Sequence, residues 1–310
     1  MGDSLPEQIV DAINDLNGRH PGTRAVHAKG TVCAGRFVAS PEAAALTRAP
    51  HMDGRSVPAT VRFSNGGGDP ARPDSANDGR GLSVKLYLDD GARTDMVALT
   101  LPCFFVRTPE DFLEFTRARR PDPETGQPDM ARMGAFLEAH PEALPAIQYA
   151  LSQPAPASYA QLEYHGIHAY AWIDAAGERR WVRFSFRPVA GTASLSEEEA
   201  AARPPDYLQD EIRTRLEAGP VEFMLDVTLA GEGDDPDDPT EPWPDDRERV
   251  TVGRLTVDGL DRTRERDGDV LVFDPTRVID GIELSADPIL CVRPDAYAVS
   301  VERRSGMRRA

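Results

Sequence analysis

The sequence predicts an α+β protein whose core is an antiparallel β-barrel or strongly bent sheet, with helices around it and one closing the chain. Three observations carry this fold class. Apolar or alternating runs bounded by Gly, Pro and Asp recur along the chain. Helical signals are confined to separate blocks, and strands never alternate with helices in the βαβ manner of a parallel sheet. No repeat of solenoid length is present.

The opening run "MGDSLPEQIVDAINDLNGRHPG" places Ile9, Ile13 and Leu16 on one side of an acidic helix. Four strand runs follow: "GTVCAGRFVAS", "VPATVRFSN", "RGLSVKLYL" and "DMVALTLPCFFV". Helices are expected at "TPEDFLEFTRARR", "DMARMGAFLEAH" and "PEALPAIQYALSQ", each beginning beside a Thr, Asp or Pro start signal. "GIHAYAWIDAAGERRWVRFSFRP" reads as a hairpin turning near Gly177, and "PDYLQDEIRTRLEAGP" as a helix stopped by Gly219. Strands return at "VEFMLDVTLA" and "RVTVGRLTVDGL". Between them, "GEGDDPDDPTEPWPDD" is acidic and proline-rich and is expected to be a surface loop. It lacks the spacing and glycine of a calcium-binding EF-hand. The last helix is expected to open at Pro294, because a first helical position needs no N–H.

The chain carries 52 acidic against 35 basic residues, a net charge of −17. Such a field disfavours nucleic acid and anionic lipid as partners. Lys29 and Lys85 are the only lysines, so arginine supplies nearly all the positive charge. Arginines gathered inside so acidic a chain need an anionic reason. Cys33, Cys103 and Cys291 form no CxxC pair, which argues against a zinc centre or a disulfide framework. The acidic start does not resemble a signal peptide, and no run reaches membrane-spanning length. A cytoplasmic location is expected.

Several residues carry chemistry. At helical spacing Arg293, Tyr297, Ser300, Val301 and Arg304 share one face of the last helix, where a packing face would be apolar. "RAVHAKG" sets His27 just before a strand, with Arg24 three residues earlier. That positive field favours a neutral imidazole, usable as a general base, although a lone histidine at a strand entrance more often serves the fold. In "TVRFSNGGGDP", Arg62 and Ser64 share one strand face with Phe63 opposite. Arg80, bracketed by glycines, reads as a turn residue, and the triple glycine lacks the GK[ST] of a phosphate loop.

Taken together, "RAVHAKG", "VRFSN", "DGRGLSVKLY", "LPCFFV", "GIHAY", "FDPTRVIDGIELSADPIL" and "RPDAY" resemble the haem catalases in order and approximate spacing, over residues 20 to 304. The chain is similar to the short branch, the catalase-related peroxidases or mini-catalases. That resemblance implies one catalase-like domain over 1–310: an N-terminal helix (1–19), a first barrel half (20–110), a helical insertion (111–160), a second barrel half (161–285) and a proximal helix (286–310). A C-terminal flavodoxin-like domain is not expected.

The resemblance also implies haem b as cofactor, with Tyr297 as the axial iron ligand. Arg293 would donate to its phenolate, with His168 and Asp287 orienting that arginine. Arg24, Arg62 and Arg304 match positions that bind the propionates. His27 matches the catalytic histidine and Ser64 the hydroxyl that hydrogen-bonds it. Val26, Val97, Phe104 and Phe112 match contacts to the macrocycle. Large catalases place an asparagine in the strand before the Pro-Phe-Phe equivalent. That place falls here at Leu99, with Thr100 beside it on the opposite face. Only one of the two can enter the pocket as the catalytic counterpart. A leucine cannot donate to peroxide and a threonine offers one hydroxyl in place of an amide, so peroxidase chemistry with weakened disproportionation is expected.

The implied partners are hydrogen peroxide or an organic hydroperoxide, a small organic reductant, and a second copy of the chain as a homodimer. Two alternatives are a non-enzymatic haem carrier and a fatty-acid hydroperoxide rearrangement like that of coral allene oxide synthases. Those synthases place a threonine before the histidine, where this chain has Val26.

Overall fold

A computed structural model describes residues 3–264 and 270–308. Helix α1 (Leu5–Asn17) starts at a capping box, in which the Glu7 carboxylate accepts from the Ser4 N–H at 2.7 Å. It buries Ile9, Val10, Ala12 and Ile13. Strands β1 (Gly30–Ala39), β2 (Ser56–Asn65), β3 (Arg80–Tyr87) and β4 (Arg93–Leu99) come next. Helices α2 (Pro109–Ala118), α3 (Met130–Ala139) and α4 (Leu144–Ser152) intervene before β5 (Tyr164–His165), β6 (Tyr170–Ile173) and β7 (Arg179–Pro188). Then come α5 (Glu197–Ala201), α6 (Tyr207–Ala218), β8 (Val221–Leu229), β9 (Arg249–Leu260), β10 (Ile282–Leu284) and α7 (Pro288–Arg308). No described helix is long and apolar enough to cross a membrane.

Eight strands close into an antiparallel barrel in the order β1-β2-β3-β4-β5-β7-β8-β9 and back to β1. Strands β5 and β6 share one edge of β7, and β10 extends that branch. The ring therefore leaves few free edges, which limits edge-to-edge association. Inside it, Val61, Phe63, Leu82, Val84, Phe186, Phe223 and Leu225 are buried together with Leu208 and Ile212 of α6. Phe63 stacks on Tyr159 with ring centroids 5.6 Å apart.

A half-exposed strand would alternate, yet β2 is buried at every position from Ala59 to Asn65. Its outer residues Thr60, Arg62 and Ser64 are therefore covered as well. That covered outer face is where polar groups gather.

Two local expectations change, and a third, the surface loop, gains a tether. Helix α7 begins at Pro288, and Pro294 lies inside it, where the missing N–H removes the bond to the Leu290 carbonyl. Asp287 is the start signal that residue patterns alone do not reveal: its Oδ1 accepts from the Ile289 and Leu290 N–H groups at 2.8 and 3.2 Å. Arg80 is no turn residue. It opens β3 fully buried, and its guanidinium donates to the carbonyls of Asp74, Ala76, Asp78 and Gly79. The acidic loop between β8 and β9 folds onto the barrel, because Arg183 donates to the Asp238 and Glu241 carbonyls at 2.7 and 2.6 Å and stacks on Trp243. From that loop Pro239 accepts the Phe104 N–H at 2.7 Å.

Emptying the barrel centre by Phe63→Ala is expected to cost about 3–5 kcal/mol of stability, read as a lowered urea midpoint with an unchanged m-value.

Candidate active site

Register lines up the outer face of the barrel. Ser64, Gly81 and Leu99 stand directly opposite one another across β2, β3 and β4, and Val32, Arg62, Ser83 and Val97 form the parallel row two residues away. Opposed residues project to the same side, so these rows share one face. Gly81 leaves a gap in the first row that the His27 ring occupies. A Cβ there would lie 2.8 Å from Ser64 Oγ and 3.1 Å from the imidazole.

His27 is held tightly. It has φ 54°, the only non-glycine residue with positive φ among those described. Such a backbone costs about 1–3 kcal/mol. Its N–H donates to the Gly66 carbonyl at 3.1 Å, Ala28 N–H donates to Gly67 at 3.1 Å, and Arg62 Nη2 donates to the His27 carbonyl at 2.9 Å. The ring Nδ1 lies 3.0 Å from Ser64 Oγ. Burial first, and then the Arg62, Arg293 and Arg24 charges, push its pKa down to about 3. The imidazole is therefore neutral at any ordinary pH.

Leu99 and Thr100 separate as strand alternation requires. Thr100 continues the ladder to β3, its Oγ1 accepting from Arg80 N–H at 3.0 Å and its own N–H donating to the Arg80 carbonyl at 2.9 Å. Leu99 packs into an apolar cluster with Phe104, Phe105, Phe112 and Ile289. Phe104 and Phe112 stack 6.0 Å apart at an interplanar angle of 3°, and Phe105 sits 4.2 Å from Phe104. Val26 packs beside Phe112 against α1, while Val97 packs with Leu271 and Phe273. Phe105 was missed from the sequence, although its twin aromatic at position 104 was a visible cue.

Four side chains, two of them on α7, form one chain of hydrogen bonds. Arg293 Nε and Nη2 donate to the Tyr297 phenolic oxygen at 2.9 and 2.5 Å. Its Nη1 lies 2.9 Å from His168 Nε2, and His168 Nδ1 lies 2.6 Å from Asp287 Oδ2. An arginine has no acceptor, so His168 Nε2 must carry the lone pair and Nδ1 the proton, which goes to Asp287. Burial pushes the His168 pKa down, which agrees with this neutral tautomer.

Two of the arginines also converge: Arg24 Nη2 and Arg304 Nη2 both donate to the Leu271 carbonyl, at 2.6 and 3.1 Å, while Arg62 donates to the His27 carbonyl. The Leu271 carbonyl had no sequence signal, because a backbone acceptor in an irregular segment leaves no residue-type trace. Of the residues that the resemblance assigns to the site, all but Thr100 lie in one of these groups; Thr100 serves the ladder, and Arg80 binds the carbonyls of its own loop.

The family model described as "Catalase" matches residues 7–309. A catalase-related peroxidase of Mycolicibacterium paratuberculosis is 44% identical over 99% of this chain and 97% of its own length. One from Synechococcus elongatus is 37% identical over 97% and 88%. Among solved structures, a fungal catalase superposes with a TM-score of 0.83 at 26% identity, covering 93% of this chain. This chain spans 60% of that catalase, so the likeness is to a part of the larger protein. The chain belongs to the catalase family and stands with its short, catalase-related members.

Proposed function

We propose that the protein is a haem peroxidase that reduces hydrogen peroxide or an organic hydroperoxide at the expense of small organic donors, with weak disproportionation of peroxide. The residues present fit the group. The Tyr297 oxygen, accepting two guanidinium N–H bonds, has the environment of a phenolate, the oxygen donor a ferric iron takes from tyrosine. Arg24, Arg62 and Arg304 would meet two propionates, and Phe104, Phe112, Val26 and Val97 would pack on the macrocycle. With no CxxCH for covalent attachment, haem b is the form these residues suit.

Bound haem would supply an iron that takes the peroxide and passes on oxidising equivalents. The chain's own work is proton handling and orientation. When Ser64 Oγ accepts the Nδ1 proton of His27, Nε2 presents a lone pair to the pocket. Nε2 takes a proton from the near peroxide oxygen and returns it to the far one, which leaves as water or alcohol. An imidazole whose pKa is pushed to about 3 returns that proton readily. Leu99 and the phenylalanines exclude water and offer no donor to a second peroxide. A second copy of the chain as partner and a cytoplasmic setting complete the reading.

The Arg293–Tyr297 pairing carries this reading. A carrier would have no use for a strained His27 bonded to Ser64, and Val26 argues against the rearrangement. Hemin titration is the test. The wild-type protein should take up one equivalent with a sharp Soret band, and Tyr297→Phe should lose that spectrum. Peroxide reduction should fall by more than the roughly 10–100-fold that supporting residues command. A wild-type spectrum and rate in Tyr297→Phe would refute the assignment. Gly81→Ala, crowding His27 and Ser64, should slow the stopped-flow reaction with peroxide on the order of 10²-fold while far-UV circular dichroism stays unchanged. Leu99→Asn should raise oxygen evolution roughly tenfold, the worth of one added hydrogen bond, measured with an oxygen electrode.

A further inference from the structure

We infer that the cleft between α1 and α7 binds a small phenolic carboxylate, which serves as the electron donor. The inference rests on the peroxidase reading and deepens it by naming the reductant class. A cavity of about 270 Å³ opens between the two helices. None of His27, Leu99, Phe104, Phe112 or Tyr297 lines it, so it is distinct from the pocket in front of the imidazole. It shares with the proposed cofactor site only Arg24 and Arg304, the residues assigned to the propionates, and so it abuts that edge.

Its chemistry is out of character for the chain. Arg19, Arg24, Arg303 and Arg304 line it, in a molecule of net charge −17, and Asp11 is the carboxylate among the described lining residues. Arg24 and Arg304 are engaged elsewhere, so the donors at issue are those of Arg19 and Arg303. Asp11 is shared between two of them: it takes Arg303 at 2.7 and 3.1 Å and Arg19 at 3.0 Å. Each guanidinium has five N–H donors, so one aspartate leaves several from Arg19 and Arg303 for a second carboxylate. The overall field repels anions, and the arginines gathered in this lining are the feature that would offset it locally.

Val10 and Ala25 give the cavity an apolar floor on which a ring can lie. The volume lies near the lower end of small-molecule sites, about 300 Å³, which suits a single-ring acid and not a long acyl chain.

The electron balance is simple. Two phenolic donors each lose one electron and one proton. The hydroperoxide O–O bond breaks on gaining both electrons and both protons, giving alcohol and water, or two waters from hydrogen peroxide. The donor's carboxylate is unchanged and acts only as the handle.

Ferulate and its methyl ester, the same phenol without the charge, test this on the haem-loaded protein. Equilibrium dialysis without peroxide should show ferulate binding that weakens with added salt. Arg303→Gln and Arg19→Gln should each raise the ferulate Kd and KM about tenfold, the loss of a charge-assisted hydrogen bond, and leave the ester's KM unchanged. Arg19, with a side chain 62% exposed, carries the test if Arg303→Gln fails to fold by circular dichroism. Equal KM for acid and ester, no binding in dialysis, or variants that keep the wild-type preference would overturn the inference. Oxidation of neither phenol would instead refute the peroxidase reading, with dialysis still deciding the site.

Discussion

Asp287 is the constraint on which the site depends. Its carboxylate is fully buried, and both oxygens are used: Oδ1 caps α7 and Oδ2 accepts the His168 Nδ1–H bond. A buried anion without such partners would cost several kcal/mol. Here two backbone N–H groups, the positive end of the helix and an imidazole compensate it. Direction then propagates. The aspartate fixes the histidine tautomer, the histidine accepts from Arg293, and the remaining donors of that arginine are left facing Tyr297. One residue sets both where the helix starts and what its phenol meets.

The other wall works by rigidity. The barrel brings Ser64, Gly81 and Leu99 into register, and a missing side chain makes the space for an imidazole. The left-handed backbone of His27 persists because Gly66, Gly67, Arg62 and Ser64 over-determine its place. Strain of this kind survives only beside a framework too stiff to relax it.

Much of this arrangement is legible in the residues alone. Strand runs with clear Gly and Pro boundaries, such as "RVTVGRLTVDGL", and the helix stopped by Gly219 fall where the patterns put them. Arg293 and Tyr297 meet because residues four apart on a helix must. Three features resist such reading. Pro294 looks like a helix start because the stronger signal, Asp287, also carries a tertiary bond that no local rule reveals. Arg80 looks like a turn because its buried partners are backbone carbonyls, which every residue possesses. The acidic loop looks wholly solvated because charge density says nothing of an arginine on the neighbouring strand β7 that stacks on Trp243. Interactions written in residue type and spacing can be read, whereas those written in main-chain atoms across the fold cannot.

The bond from Phe104 N–H to the Pro239 carbonyl has a practical meaning. A segment that composition would recommend for an inserted epitope or a deletion is mechanically joined to the aromatic wall. Engineering of that hairpin connection would register as altered entry of bulky molecules, although the edit lies more than a hundred residues further along the polypeptide.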